Sequence, residues 1–236
     1  MQTTIDVRRS GTRFHTDAGW LDSWHSFSFG PHYFADNVGH GLLIVSNDDR
    51  VAPAMGFGMH PHRDMEIVTW VLSGRLEHRD SEGNHGLLYP GLAQRMSAGT
   101  GIRHSEMNPS PDESVHFVQM WVPPHENSMK PGYEQVDVNA ALADGGLVAV
   151  ASGRGIDAAI SIHQRDATMY VARLGAGGSV VLPDDSHVHV FVALGSGTLE
   201  GADALATGDA ARLVAAGARR LVAGPGGAEL IVWSTA

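Results

Sequence analysis

The chain has 236 residues, of which 43% are apolar, and its 16 basic and 26 acidic residues give it a formal net charge of −10. A chain of this size can bury a substantial core, and its acidic balance argues against binding to nucleic-acid phosphates. The chain contains no cysteine, which excludes disulfides, thiolate metal sites and thiol nucleophiles and fits a reducing compartment.

Nothing in the sequence predicts insertion into a membrane or export. No stretch approaches 18 consecutive apolar residues, so no spanning segment is expected. Residues 8–24 are polar and lack the apolar core of a signal peptide. We therefore expect a cytoplasmic protein.

Short runs of apolar or alternating residues follow one another along the chain, bounded by Gly, Pro, Asp or Asn. Such runs are typical of β-strands, and they occur at 41–47, 66–74, 116–122, 147–153, 169–174, 187–197 and 228–233. Only residues 136–144 carry a weak helical periodicity. Many short strands at close spacing predict an all-β sandwich or barrel.

The strand pattern contains a faint internal repeat. When Gly74 is aligned with Gly197, residues 67–77 match 190–200 through a shared S-G-x-L-E after an apolar strand. The order of a second match, 95–99 with 212–217, is the same in both halves. We therefore expect two duplicated barrels, divided within the polar, Pro-containing stretch 123–135 into domains 1–128 and 129–236.

Two histidines in the segment MHPHRDME (59–66) form the first candidate pair of metal ligands. His60 and His62 stand at i and i+2, so on a strand both imidazoles point to one face, about 7 Å apart along the chain. The pattern alone is weak, because 14 histidines in 236 residues give about one H-x-H by chance. A second one, His187 with His189, is interpreted as ordinary barrel or surface residues.

The segment SAGTGIRHSEMN (97–108) supplies the second candidate pair. His104 and Glu106 again stand at i and i+2, and Gly99 and Gly101 suit a tight turn before them. Three imidazoles and a carboxylate favour octahedral Fe(II), Mn(II), Co(II) or Ni(II), with two positions left for water or substrate. A closed structural zinc site is the less favoured alternative.

Both segments resemble the two cupin motifs, and more narrowly those of the pirins, which are bicupin proteins. The strings FGMHPHRDMEIVTWVLSGRLEHRDSEGN, MSAGTGIRHSEMNPS and GWLDSWHSFSFG are similar to bacterial pirins, and this resemblance covers residues 8–135. It implies a bicupin fold of two antiparallel jelly-roll β-barrels. The cupin signature positions are Gly56, Gly58, His60, His62, Glu66, Gly74, Gly99, Gly101, His104 and Asn108.

The resemblance implies that His60, His62, His104 and Glu106 hold one divalent transition metal. Fe(II) is the expected ion, with Mn, Co, Ni or Zn as alternatives. Glu66 is a ligand in many other cupins but is similar to a non-ligating position in pirins, so the assignment depends on Glu106.

The second barrel departs from this pattern. In the alignment of Gly74 with Gly197, His60 and His62 fall on Pro183 and Asp185, and no ligand stands near 221–224. We therefore expect the second barrel to lack metal ligands, a degeneracy that also resembles the pirins.

Several pirin-like proteins are similar to flavonol 2,4-dioxygenases of the quercetinase type. The resemblance implies a metal-dependent enzyme whose substrates are a flavonol such as quercetin and O₂, and whose products are carbon monoxide and a depside. Glu106 would be both a ligand and the base that accepts the 3-hydroxyl proton. The remaining nearby side chains are interpreted mainly as core or interface residues: His15, His25, His32, His40, Phe57, Trp70, Met107 and Trp121.

Two alternatives remain open at the level of sequence. The first is a regulatory, non-enzymatic pirin that binds a protein partner according to the oxidation state of its metal. The second is another cupin reaction on a different, enediol-like substrate.

Overall fold

A computed structural model describes residues 3–236, and in it the all-β prediction is confirmed. The first half contains strands β1 (Thr4–Arg8), β2 (Phe14–Asp17), β3 (Leu21–His25), β4 (Val45–Val51), β5 (Gly56–His62), β6 (Glu66–Ser73), β7 (Leu76–Asp80), β8 (His85–Leu88), β9 (Leu92–Ser97), β10 (Ile102–Met107), β11 (Val115–Val122) and β12 (Gly132–Asp137). The second half contains the helix α1 (Asn139–Leu142) and strands β13 (Val148–Ser152), β14 (Ile160–Ser161), β15 (Ala167–Leu174), β16 (Ser179–Val181), β17 (His187–Leu199), β18 (Ala204–Ala206), β19 (Ala210–Val214) and β20 (Arg220–Thr235).

Two antiparallel sheets form the first barrel. Seven strands pair in the order β12-β9-β6-β11-β4-β3-β2, and four pair in the order β5-β10-β7-β8. Strand β6 shows why both faces of the larger sheet are apolar: Val68 and Trp70 contribute to one buried cluster, while Ile67 and Val71 contribute to others on the opposite face. The inner face of this sheet looks across the barrel at the smaller sheet.

A single nine-stranded sheet forms the second half. Its main path runs β1-β19-β17-β20-β15-β13-β14, and β16 and β18 pair with the long strands β20 and β17. One face encloses an aliphatic core that includes Val190, Leu213 and Leu230. The other face covers the first barrel.

The two halves share one hydrophobic core. Trp70 and Met120 of the first half pack in the same buried cluster as Phe191 and Trp233 of the second. The indole Nε1 of Trp70 donates to Glu229 Oε1 at 2.7 Å, and Arg173 Nε donates to Glu229 Oε2 at 2.7 Å. Because both oxygens are paired, this buried carboxylate is accommodated between the halves.

Two strands pair across the expected domain boundary between residues 128 and 129. β1 joins the second-half sheet by pairing with β19, and β12 joins the first-half sheet by pairing with β9. Each of these two strands therefore belongs to a sheet on the other side of the expected boundary. The division into domains 1–128 and 129–236 stays a prediction. The helix expected at 136–144 is shorter, Asn139–Leu142, because β12 extends to Asp137.

Within residues 3–236, no helix has the length and apolar character needed to cross a membrane.

Candidate metal centre and its cavity

Strands β5 and β10 bring the two predicted ligand pairs together. They are antiparallel neighbours in the smaller sheet, with His104 opposite His60 and Ile102 opposite His62. The predicted turn at residues 99–101 precedes β10, and a Cβ on Gly99, whose φ is +48°, would lie 2.2 Å from the carbonyl oxygen of Met129. Glycine is therefore required at that position for the chain to enter β10.

The three imidazoles form a compact cluster. The ring centroids of His60 and His104 are 4.4 Å apart, those of His60 and His62 are 4.8 Å apart, and those of His62 and His104 are 4.9 Å apart. One ring nitrogen from each lies within 4.8 Å of the others. Two ligand atoms held about 2.1 Å from one ion can be about 4.2 Å apart, so the cluster is close to the size that one metal ion requires.

Glu106 lies beside this cluster on β10. Its Oε2 is 4.0 Å from His104 Nε2, and Gln119 Nε2 donates to both of its oxygens at 2.8 and 2.9 Å. The amide of Gln119 is held in turn by Trp121 Nε1, which donates to Gln119 Oε1 at 3.1 Å. These contacts fix the carboxylate next to His104.

The hydrogen bonds of the histidines leave Nε2 available for a metal. His60 Nδ1 lies 2.8 Å from the carbonyl oxygen of Gly58, so it donates and leaves Nε2 with its lone pair. In the part of the chain that the structure describes, the buried Nε2 atoms of His62 and His104 have no hydrogen-bond partner. Buried nitrogens without partners are costly, and a metal ion would satisfy them.

His104 is oriented by a buried pair of side chains on β7. His78 Nε2 lies 3.1 Å from Asp80 Oδ2, and His78 Nδ1 lies 3.4 Å from His104 Nδ1. With the proton of His78 on Nε2, its Nδ1 accepts the proton of His104 Nδ1, and His104 Nε2 is left bare. Burial opposes the charge of Asp80, but hydrogen bonds from Asn84 and His78 keep its pKa below the usual value.

The electrostatic surroundings favour the neutral forms of His62 and His104. Burial, with the neighbouring histidines His104 and His60, lowers the pKa of His62 to about 4. Burial, with His60 and His78, lowers the pKa of His104 to about 3. Neutral imidazole is the form that binds metals.

Glu66 faces away from the histidine cluster. Its Oε2 accepts hydrogen bonds from Ser97 Oγ at 2.7 Å and from the backbone N–H of His163 at 3.0 Å. These partners tie it to the interface with the second half, so the arrangement favours Glu106 over Glu66 as the carboxylate of the centre.

A second possible ligand group shares His104 with the cluster of three imidazoles and includes Glu106. His78, His104 and Glu106 also have one ligand atom each within 4.8 Å of one another. In this group, however, both ring nitrogens of His78 already contact Asp80 and His104. The bare Nε2 atoms of His62 and His104 therefore favour the group on the cavity side.

The cluster opens into a cavity of about 280 Å³ between the two sheets of the first barrel. This volume is near the lower end of the range of about 300–1,000 Å³ for small-molecule pockets. Phe29, Phe57 and Trp121 are its aromatic walls. Phe57 and Trp121 also pack against buried core clusters, so they are core residues that line the cavity as well, whereas Trp70 is fully buried in the core as expected.

The cavity also has a polar wall that the sequence did not predict. Ser23 and His25 on β3 and Asn47 and Asp49 on β4 line it, at positions that alternate with outward-facing residues. His25 Nδ1 lies 2.9 Å from Asn47 Oδ1, and Ser23 donates a short hydrogen bond to Asp49. Burial raises the pKa of Asp49 to about 7, although the hydrogen bond from Ser23 opposes this shift.

Residues missed in the sequence analysis have one common signal. His78 and Asp80, Ser23 and His25, and Asn47 and Asp49 are all polar pairs at i and i+2 within short strands. The expectation of core or interface packing is wrong for His25, which lines the cavity. His187 and His189 lie on β17 instead, where His187 packs against His40 at a ring-centroid distance of 5.4 Å.

Comparisons with known proteins place this geometry in a family. The Pirin family model matches residues 6–122, and a model described as "Quercetinase C-terminal cupin domain" matches residues 149–232. The chain is 54% identical to a protein of Mycobacterium tuberculosis provisionally named quercetin 2,3-dioxygenase, over 99% of this chain and 96% of that protein. It is 44% identical to the quercetin 2,3-dioxygenase of Escherichia coli, over 80% of this chain and 77% of that protein.

Solved structures agree with the same assignment. The crystal structure of YhhW from Escherichia coli superposes with a TM-score of 0.91 at 38% identity, covering 99% of this chain and 98% of that one. A structure of that bacterial pirin in complex with nickel(II) gives 0.89 at 37% identity, covering 98% and 99%. The bicupin prediction is thereby confirmed, and the chain belongs to the pirin family.

Proposed function

We propose that this protein is a metal-dependent dioxygenase that cleaves flavonols such as quercetin. The observation that carries the proposal is an aromatic-walled cavity lined by His60, His62 and Glu106. His104 completes a cluster of three imidazoles beside it, and the Nε2 atoms of His62 and His104 have no hydrogen-bond partner within residues 3–236. The names of the relatives in Escherichia coli and Mycobacterium tuberculosis support the same substrate class.

His60, His62, His104 and Glu106 would hold the metal in this proposal. An ion bound there would favour the deprotonated form of a chelating substrate and would neutralise developing negative charge. A mixed set of imidazole and carboxylate suits Fe(II), which we propose as the ion, and also Mn, Co, Ni or Zn. The nickel(II) complex of the Escherichia coli pirin supports a divalent transition metal.

Glu106 would accept the 3-hydroxyl proton of the flavonol. The two hydrogen bonds from Gln119 hold its carboxylate in one orientation, so the base is positioned before the substrate enters. Phe57 and Trp121 would pack against the flat rings of the substrate and exclude water. The overall reaction consumes O₂ and releases carbon monoxide with the cleaved product.

The test is to load the purified protein with each divalent ion, quantify bound metal by mass spectrometry, and follow quercetin loss at its visible band with carbon monoxide detection. His62→Ala and Glu106→Ala should abolish turnover, and Glu106→Gln should retain some metal yet lose most turnover. His85→Gln, at an exposed position on β8, is the matched control. Bound metal without quercetin loss for every ion supplied would refute the enzymatic proposal, and full activity of Glu106→Gln would refute the assignment of the base.

A cytoplasmic location and a regulatory role with a protein partner stay predictions from the sequence.

A further inference from the structure

A buried carboxyl group, that of Asp49, stands in the cavity wall contributed by the larger sheet. The register places Asp49 opposite Ser23 on β3 and opposite Phe117 on β11. It therefore shares the inner face of β4 with Asn47, and both line the cavity together with His60, His62 and Glu106 of the smaller sheet.

Asp49 has little hydrogen bonding within the protein. Across residues 3–236, the one hydrogen bond that the structure gives its carboxyl group is the bond from Ser23 Oγ to Oδ1. The residue is 5% exposed. Its Oδ2 has no hydrogen-bond partner within residues 3–236, yet this atom is not fully enclosed by protein. Oδ2 is therefore open to the cavity.

Within residues 3–236, no arginine, lysine or histidine forms an ion pair with this carboxyl group, whereas its neighbour has two such partners. The adjacent Asp48 points to the other face of β4, where it pairs with Arg13 at 3.0 Å and with His116. The titratable groups around the cavity are His25 on β3, His60 and His62 on β5, and Glu106 on β10, whereas β11 contributes the uncharged Gln119.

An unpaired carboxylate in such surroundings carries a large desolvation cost, which protonation removes. The raised pKa of Asp49 agrees with this argument. Ser23 donates to Oδ1, so Oδ2 is the oxygen left to pair with a ligand, as an acceptor when ionised and as a donor when protonated.

We propose that the carboxyl group of Asp49 is a recognition site for a hydroxyl on the A or B ring of a polyphenol, which pairs with Oδ2 by a hydrogen bond. This inference rests on the proposed function and adds a specificity-determining residue on the wall that faces the candidate metal ligands. The metal held by the four protein ligands would bind the 3-hydroxyl and 4-carbonyl end of a flavonol, and Asp49 would recognise hydroxyls on the other rings. A flavonol without hydroxyls on its A and B rings leaves this buried carboxyl group unpaired, and a site of this kind discriminates against such an analogue.

The experiment compares quercetin with 3-hydroxyflavone. The two flavonols share the chelating 3-hydroxyl and 4-carbonyl, but only quercetin carries hydroxyls on its A and B rings. Binding to the nickel-loaded full-length protein is measured under nitrogen by quenching of tryptophan fluorescence, because Trp121 lines the cavity. Asp49→Leu removes the carboxyl group. Asp49→Val does the same with a residue that suits a strand, in case the first variant does not fold. Asp49→Asn keeps a hydrogen-bonding group at this position. Asp22→Asn, a half-exposed carboxylate on the same edge of the barrel, is the control for loss of charge.

The ratio of the two affinities is the readout. We expect Asp49→Leu and Asp49→Val to reduce the preference for quercetin about tenfold, as the loss of one hydrogen bond to a buried polar group predicts. Asp49→Asn should keep the preference within about threefold, and Asp22→Asn should not change it. An unchanged ratio in the Leu or Val variant, or an equal loss for both flavonols, overturns the role of Asp49 alone. Failure of both flavonols to bind the metal-loaded wild-type protein overturns the proposed function as well.

Discussion

Replacement of Asp49 by asparagine should change the pH dependence of stability in a way that can be worked out from its surroundings. Burial raises the pKa of Asp49 from 3.8 to about 7 in the folded protein. Between these values the folded state holds a proton that the unfolded state has released, so wild-type stability falls as pH rises. Each unit corresponds to about 1.36 kcal/mol, and the whole shift to an upper limit of about 4 kcal/mol. Asparagine does not titrate, so the variant does not undergo this loss.

The assay is urea unfolding of the metal-free wild-type and Asp49→Asn proteins at pH 5 and pH 8. All other groups titrate in both proteins and cancel in the difference between them. The stability of the variant relative to wild type should increase by about 2–3 kcal/mol from pH 5 to pH 8, which is about 5–10 °C in Tm for a chain of this length. Asp22→Asn should show no such change. If the difference between Asp49→Asn and wild type is the same at both pH values, the carboxyl group is not held neutral by burial.

Two further predictions follow from other parts of the fold. His78→Leu removes the acceptor for His104 Nδ1 and should therefore weaken metal binding about 10- to 100-fold, measured by competition titration against a chelator. The control, His85→Gln, should bind metal as wild type does. Equal affinity of the two variants would show that His104 needs no orienting partner. Deletion of residues 1–8 removes the strand that pairs with β19 and should lower Tm by about 5–10 °C, because the contacts of Ile5 and Val7 are lost. Deletion of residues 1–3 is the control and should have little effect. An unchanged Tm for the longer deletion would mean that β1 contributes no net stability.

Local patterns in the sequence were sufficient for the strands and for the histidine pairs. The alternation at 66–74 and 187–197 corresponds to β6 and β17, because side-chain direction in a strand follows from the adjacent residues alone. The same rule put His60 with His62 and His104 with Glu106 on common faces, and the family resemblance joined the two pairs.

Which face of β6 points into the first barrel could not be predicted from the residues of that strand alone. Glu66 shares a face with Val68 and Trp70, which pack toward the second half, while Ile67 and Val71 point into the first barrel. Because both faces of this strand are buried and apolar, hydrophobic alternation does not distinguish the inner face from the outer one. Hydrophobic alternation therefore could not decide between Glu66 and Glu106; the family resemblance favoured Glu106, and the hydrogen bonds that tie Glu66 to the second half agree with that choice.

The polar wall of the cavity was missed for a related reason. Asp49 follows Asp48 in the sequence, and two adjacent acids are usually interpreted as an exposed turn or edge. In the structure Asp48 is paired with Arg13 on one face of β4 and Asp49 is enclosed on the other. Arg13 and Ser23 lie 35 and 26 positions away from their carboxylate partners in the sequence, and such partners are visible only once the strands have paired.

The pairing of β1 with β19 has a consequence for the order in which the chain folds during synthesis. Residues Thr4–Arg8 leave the ribosome before their partner, Ala210–Val214, which is made about two hundred residues later. The first barrel can therefore assemble while its own leading segment is still without a partner, and the second sheet is complete only when that segment returns to its edge. A fusion partner placed before Thr4 would be carried next to β19, so a long flexible linker between it and Thr4 should favour rapid maturation.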